Sequence, residues 1–394
     1  MRHLNPDQMQ PSGSSRRSWI AIAVGMCVSV VVGALLGAGL LLLRHGGQLS
    51  GPGTPSGGPT TSAGQIGLAA PPPVTHSPSL PAEVTDPNVR RTSIERLLRD
   101  RADALLLGDR AAWSGEQVPL AAVPEFTRIT ILAPVAYEYS VTSITSGSDP
   151  TQASVSALVR YRLPMDVAVA TFREDLALQH TDLGWRIASE HSVGRRPVWE
   201  LGDISVAIGQ RTTVIGIDQT HAVLERYLEG GDAVIPHVTK IWGTDWTQHL
   251  VIIVPKTKSQ LEQGLGRSAA SLEEIAAITS METASGDSGS PRIWLNTPTM
   301  QDLSSLGREI VLRHEVVHVA TGSGSTDATP LWLEEGLAEY IGYQDSGVSR
   351  AVAAADVIDA LRDGDTFDHL PGADDFRSEE RRVGKECRSR WSPY

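Results

Sequence analysis

Cysteine is nearly absent from this chain: 394 residues contain two, Cys27 and Cys387. Cys27 lies in an apolar run and Cys387 in a C-terminal tail of foreign composition. The chain between them has no cysteine and needs no disulfide. Aromatic residues are scarce at 5%, and positive charge is outweighed, with 34 Lys and Arg against 46 Asp and Glu and a formal net charge of −12. That sign argues against a nucleic-acid partner, because domains that grip phosphate backbones carry a basic surplus. Long apolar runs are lacking too, with one exception.

The exception is residues 19–43, which contain no charged side chain. A bilayer core is crossed by ~20 residues of helix, so the run predicts a single transmembrane helix. It is longer than the apolar core of a cleaved signal peptide, and Arg44 and His45 follow it where a small-residue cleavage site would stand. Arg2, Arg16 and Arg17 precede it against one acid, Asp7. Residues 1–18 are therefore expected in the cytoplasm, and everything after residue 43 outside the cell membrane. Gly25, Ser29, Gly33 and Gly37 recur every four residues, a stripe through which two such helices could form a homodimer. Residues 44–88 are rich in Gly, Pro, Ser and Thr without apolar periodicity and read as a disordered linker.

Order resumes at residue 89. Ile94, Leu97, Leu98, Ala102, Leu105 and Leu106 recur at helical spacing, with Thr92 or Ser93 able to cap the helix. In residues 153–163, Val155, Ala157, Val159, Tyr161 and Leu163 share one face and polar residues the other. Residues 137–144, 167–178 and 184–189 also read as strands. One helix followed by a four-stranded antiparallel sheet makes residues 89–200 an accessory α+β domain. In element order it resembles the nuclear-transport-factor and cystatin-like folds. It shows no grouping of acid, base and nucleophile, and His180 and His191 read as surface residues.

The chemistry lies further on. His314-Glu315-Val316-Val317-His318 is an HExxH segment, and four-residue spacing on a helix puts both imidazoles on one face. Zinc takes such nitrogen ligands in a tetrahedral site with one position left for water, and the intervening glutamate can act as base. Leu303, Leu306, Ile310, Val311, Leu312 and Val317 supply the apolar stripe of that helix, and Gly322 and Gly324 predict its end. Next comes Thr329-Pro330-Leu331-Trp332-Leu333-Glu334-Glu335-Gly336-Leu337-Ala338-Glu339-Tyr340, with Thr329 placed to cap a second helix and Pro330 in its first turn. The short connection makes the two helices neighbours. Glu335 and Glu339 share a face, so one can bind the metal while the other orients a ligand histidine. Glu334 lies about 100° around the helix and is expected in solvent.

HEVVH followed by WLEEGLAEY resembles the gluzincin metallopeptidases. More narrowly, the chain resembles the peptidase-MA-like domains of membrane-anchored actinobacterial proteins, over residues 205–376. The resemblance implies His314, His318 and Glu335 as ligands of Zn2+, Glu315 as catalytic base and Glu339 as the group behind a ligand histidine. It implies a zinc metallopeptidase at residues 201–376 acting on peptide or protein substrates. It also implies a strand beside the cleft that pairs with extended peptide, for which residues 293–296 are the candidate. The GxMEN-like exopeptidase segment of the aminopeptidases is missing. The gap between His318 and the third ligand is slightly shorter than in those enzymes. Residues 205–208 and 212–215 read as a hairpin, 218–228 as a helix, and 250–254, 275–281 and 292–295 as strands. His221, His237, His249 and His369 have no ligand spacing.

Residues 377–394 have no apolar period and resemble a translated sequencing adapter, so the peptidase domain is expected to be incomplete and to continue naturally past Phe376. The oxyanion-stabilising residue is then expected in the missing segment, with Tyr340 and Tyr343 as packing residues. The fold expectation is thus α+β throughout: a transmembrane helix, a linker, a helix-plus-sheet domain and a truncated gluzincin-like domain. The alternative from another class is a non-catalytic cell-surface binding protein that keeps a structural zinc site.

Overall fold

The computed structural model describes residues 80–115, 122–272, 275–282, 289–322 and 329–364. Four helices open it: α1 (Ala82–Thr85), α2 (Pro87–Leu106), α3 (Arg110–Ser114) and α4 (Ala122–Ile131). They pack against an antiparallel sheet of β1 (Ala136–Ser146), β2 (Gln152–Arg162), β3 (Ala170–Thr181) and β4 (Gly184–Val193), in that spatial order. Helix α2 starts earlier than its apolar period suggests. Asp86 accepts hydrogen bonds from the backbone N–H groups of Asn88 (2.8 Å) and Val89 (3.4 Å), and Pro87 occupies the first turn. Thr92 and Ser93 lie inside the helix rather than at its cap. On β2 the alternation predicted from sequence is real: Val155, Ala157, Val159 and Tyr161 are buried on one face.

The second half is a mixed sheet. Strands β5 (Ile204–Ile208) and β6 (Thr212–Ile217) form a hairpin. They are followed by α5 (His221–Trp242), β7 (Leu250–Pro255), α6 (Lys258–Leu265), β8 (Ala277–Glu282) and β9 (Ser290–Leu295). The strand order is β5-β6-β7-β9-β8, with β6, β7 and β9 parallel and β8 antiparallel to β9. Strand β9 is thus interior, hydrogen-bonded on both sides, and β8 is the edge. Residues 293–296 therefore cannot offer an unpaired edge to a peptide, which corrects the sequence expectation. Helix α5 also runs well past residue 228. Gly231 lets it do so: a Cβ there would lie 2.7 Å from the Thr212 side chain, so glycine permits close approach to β6.

Helices α7 (Thr297–Asp302), α8 (Ser305–Thr321), α9 (Leu331–Tyr343), α10 (Arg350–Ala353) and α11 (Ala355–Arg362) complete the described chain. Helix α8 is capped by Ser304, whose Oγ accepts from Gly307 N at 3.0 Å, and closed by Gly322 at φ 64°. Pro330, not Thr329, takes the N-cap position of α9.

The two sheets share a core. Tyr137, Tyr161, Phe172 and Trp199 of the first half belong to one buried cluster with Ile215, Ile253, Leu261 and Trp294 of the second. A buried ion pair joins Asp166, just after β2, to Arg292 on β9, with Arg292 Nη2 donating to Asp166 Oδ2 at 2.7 Å.

The fold expectation needs one further correction. Among the described residues no helix is long and apolar enough to cross a membrane. The longest, α5, has 22 residues and carries Glu225, Arg226, Glu229, Asp232 and Lys240. The predicted transmembrane helix at residues 19–43, with its dimer stripe, the linker to residue 79 and the tail at 377–394 lie outside the described residues. The described architecture is two α+β units on a shared core, with no membrane-spanning element.

Candidate metal centre

Helix α8 is buried along nearly its whole second half, so it runs through the molecule rather than over it. Its inner face carries His314 and His318, and α9 crosses it closely. Gly342 permits the contact, since a Cβ there would lie 3.3 Å from the Ile310 carbonyl oxygen. Ala338 and Ile341 are fully buried in the same seam. Arg313 Nη1 donates to the Gln344 carbonyl at 2.9 Å and pins the end of α9. This packing brings Glu335 and Glu339 over the two histidines.

The geometry is compact. His314 Nε2 and His318 Nε2 are 3.1 Å apart. Glu335 Oε2 lies 3.2 Å from the first and 3.5 Å from the second. Zinc bound to imidazole nitrogen at ~2.0–2.1 Å places tetrahedral ligands roughly 3.3 Å from each other. The three separations match the edges of such a tetrahedron. Both oxygens of Glu335 are buried and make no hydrogen bond among the described residues, an arrangement suited to a metal. Among the described residues, His314, His318 and Glu335 form the one such group of potential ligands.

Behind the ligands, Glu339 Oε2 is 3.4 Å from His314 Nδ1. His318 Nδ1 has no hydrogen-bond partner among the described residues. Burial alone would depress the His314 pKa, but Glu335 and Glu339 outweigh it and raise it to about 10. Burial would likewise raise Glu335, yet the two imidazoles hold it down at about 2. The carboxylates thus draw positive charge onto the point between them.

Glu315 lies between the two histidines on α8 and reaches Thr279 on β8. It is fully buried, and that burial raises its pKa. Thr279 Oγ1 on edge strand β8 donates to Glu315 Oε2 at 2.7 Å, while Oε1 has no hydrogen-bond partner among the described residues. Thr279 escaped the sequence reading. Nothing local marked it, because Ser280 and Glu282 on the same strand are polar too, and the contact spans 36 residues of sequence. A cavity of about 470 Å³ reaches the cluster at Glu335 and Glu339 and is walled by Tyr343, Val348, Arg350 and Ala354.

The remaining candidates separate from the site. Glu334 is half-buried rather than in open solvent, and burial raises its pKa. Tyr340 and Tyr343 both line the cavity, and Tyr340 is exposed. His237 Nε2 lies 3.2 Å from the Ile341 carbonyl and helps hold α5 to α9. His180 is not a surface residue. It is tucked edge-on against Trp185 and lies 3.2 Å from Glu83 Oε2. His191 is exposed, as expected.

No family model matches the chain, and no curated protein matches it. Among solved structures, an NTF-2 like protein of unknown function from Shewanella oneidensis MR-1 is 20% identical. That alignment covers 26% of this chain and 98% of the other, at a TM-score of 0.22. The intermembrane space region of the chloroplast protein ARC6 is 15% identical over 27% of this chain and 96% of its own, at a TM-score of 0.21. Likeness at that level assigns neither a fold nor an activity.

Proposed function

We propose that the chain is a zinc-dependent metallopeptidase of gluzincin type, with His314, His318 and Glu335 holding Zn2+ and Glu315 as general base. The observation that carries the reading is the three-atom cluster at tetrahedral spacing beside a buried carboxylate that is not itself one of the ligands. Bound zinc would supply Lewis-acid polarisation of a peptide carbonyl and a more acidic water. The chain's own part falls to a few groups. Glu315 Oε1, free of hydrogen bonds, accepts the proton of the attacking water and passes it to the leaving amine. Thr279 fixes the opposite oxygen so that Oε1 keeps one direction. Glu339 holds the His314 ring with Nε2 facing Glu335. Burial in the α8–α9 seam lowers the local dielectric and strengthens each of these interactions.

A second reading has one observation in its favour. His314, Glu315, His318 and Glu335 are all at most 3% exposed, as in a closed structural site. A non-catalytic binding protein would need the ligands but no base, and the cavity at Glu335 would have no purpose. The test separates the two. Metal analysis of the purified protein is expected to find about one zinc per chain, and His318→Ala to lose it; unchanged zinc content in His318→Ala ends both readings. Glu315→Gln is expected to keep zinc and abolish cleavage of a peptide library. Zinc-loaded protein that cleaves nothing leaves the structural reading.

A further inference from the structure

The helix-plus-sheet unit holds a second polar cavity, far from the metal centre in kind. It measures about 300 Å³ and is lined by Glu125 on α4, Glu190 and the exposed His191 on β4, Arg128, Arg196, Trp199 and Glu200. Ser192 lines it too, and Glu174 on β3 is the direct cross-strand partner of Ser192. Cross-strand partners project from the same face, so Glu174 leaves the sheet on the cavity's side. Glu174 is 4% exposed, and its Oε2 has no hydrogen-bond partner among the described residues. The buried Glu190 Oε2 has none either.

The charges around the cavity do not balance. Arg101 is buried beside them, stacked 3.8 Å from the Trp113 ring centre and donating to Glu190 Oε1 at 2.6 Å. At the rim, Arg196 is taken by Glu200 (3.0 Å) and Gln263 (2.8 Å). Arg128 is taken by Asp203 (3.2 and 3.0 Å). Glu125 and Glu174 are left over, two carboxylates without a cation of their own. An unpaired buried carboxylate costs several kcal/mol unless a cation or a proton meets it. Burial and the neighbouring Glu190 push Glu125 up to about 8, and burial raises Glu174 as well. A cation in the cavity would meet both carboxylates.

The volume says which kind of cation. A lone water needs only ~10–15 Å³ of such space, so the cavity is far larger than a bare metal ion requires. Its carboxylates do not converge on one point as metal ligands do: among the described residues only His314, His318 and Glu335 converge in that way, so an alkylammonium or guanidinium group is the cation that fits. We propose that this cavity binds a small organic cation, an alkylammonium or guanidinium group, between Glu125, Glu174 and Glu190. Free amines and the side chains of lysine or arginine in a peptide share that chemistry.

Titration calorimetry of the purified protein with putrescine, and in parallel with Nα-acetyl-lysine methylamide, tests the assignment. Saturable binding of at least one probe is expected, and the tighter of the two names the source. Glu174→Gln is expected to weaken it at least tenfold, and 1,4-butanediol, the uncharged analogue of putrescine, to give no binding. Glu83→Gln, which removes a carboxylate outside the cavity, is expected to leave binding unchanged. Should Glu174→Gln fail to fold, Glu125→Gln carries the same expectation. Absence of saturable binding by either cation overturns the proposal. So does butanediol binding as well as putrescine, or unchanged affinity in the folded Glu174→Gln or Glu125→Gln protein. None of these outcomes depends on zinc or on peptide cleavage.

Discussion

The molecule buries two groups of carboxylates, and they differ in how closely they converge. On α8 and α9 the Glu335 carboxylate sits within 3.5 Å of two imidazole nitrogens, close enough for one dication to touch all three. Between α4, β3 and β4 the carboxylates are spread around a cavity of about 300 Å³ with Arg101 among them. The first arrangement selects by distance and suits a metal. The second selects by volume and charge and suits an organic cation. In both, helix or sheet geometry holds charges in place against their own repulsion, on an aromatic core in one and on the aliphatic packing of α8 and α9 in the other.

The largest expected effect breaks the metal side of this comparison. Glu315→Gln keeps the side-chain volume and the ligands but removes the base, and general base catalysis supplies ~10²–10⁴-fold. Peptide cleavage is expected to fall by that factor with zinc content unchanged. A variant that still cleaves would move the base to another residue.

The next effect concerns the seam between the two regions. Asp166 and Arg292 are both almost wholly buried, and removing one partner strands the other charge. Asp166→Ala is expected to cost about 3–5 kcal/mol of stability, read from the urea midpoint. A loss below about 1 kcal/mol, the range of exposed pairs, would mean that water reaches Arg292 and that the two units are less firmly joined.

A smaller effect sharpens the contrast between holding a base and merely burying it. Thr279→Val removes the hydroxyl at nearly constant volume. Cleavage is expected to drop about tenfold, worth ~1.4 kcal/mol, with zinc retained. Thr279→Ser is expected to restore most of it. Equal activity in the Val and Ser variants would reduce Thr279 to a packing residue.

These contacts also mark where sequence reading works. His314, Glu315 and His318 are legible because a helix converts four-residue spacing directly into a shared face. Glu335 follows because a short connection forces α9 beside α8. Thr279 reaches Glu315 across 36 residues, and Asp166 reaches Arg292 across 126, so no local period announces either. The true start of α2 was masked by composition: Asp86 and Pro87 read as linker, although that pair is a cap followed by a first-turn proline. Helix α5 was cut short for a related reason. Gly230, Gly231 and Pro236 look like breakers, but Gly231 is demanded by contact with Thr212, which only the tertiary structure reveals.

The smallest expected effect probes the cation side through pH. Glu125 is half-buried, and burial together with Glu190 raises its pKa from 4.5 to about 8. The folded chain then holds this proton to about pH 8, while the unfolded chain releases it near 4.5. Between those values the folded state binds more protons, so stability is full below about 4.5 and falls as pH rises through 8. Glutamine keeps the shape and cannot ionise. Denaturation curves of wild type and Glu125→Gln between about pH 5 and 9 should therefore diverge, with the variant losing less stability toward the alkaline end. The difference should be on the order of 1 kcal/mol, well under the full conversion of the shift, because part of the side chain meets solvent. Adding putrescine should shrink the divergence, since a bound cation lets wild-type Glu125 ionise without penalty. Parallel curves would show that Glu125 titrates as an ordinary surface carboxylate, and the charge imbalance in the cavity would then rest on Glu174 alone.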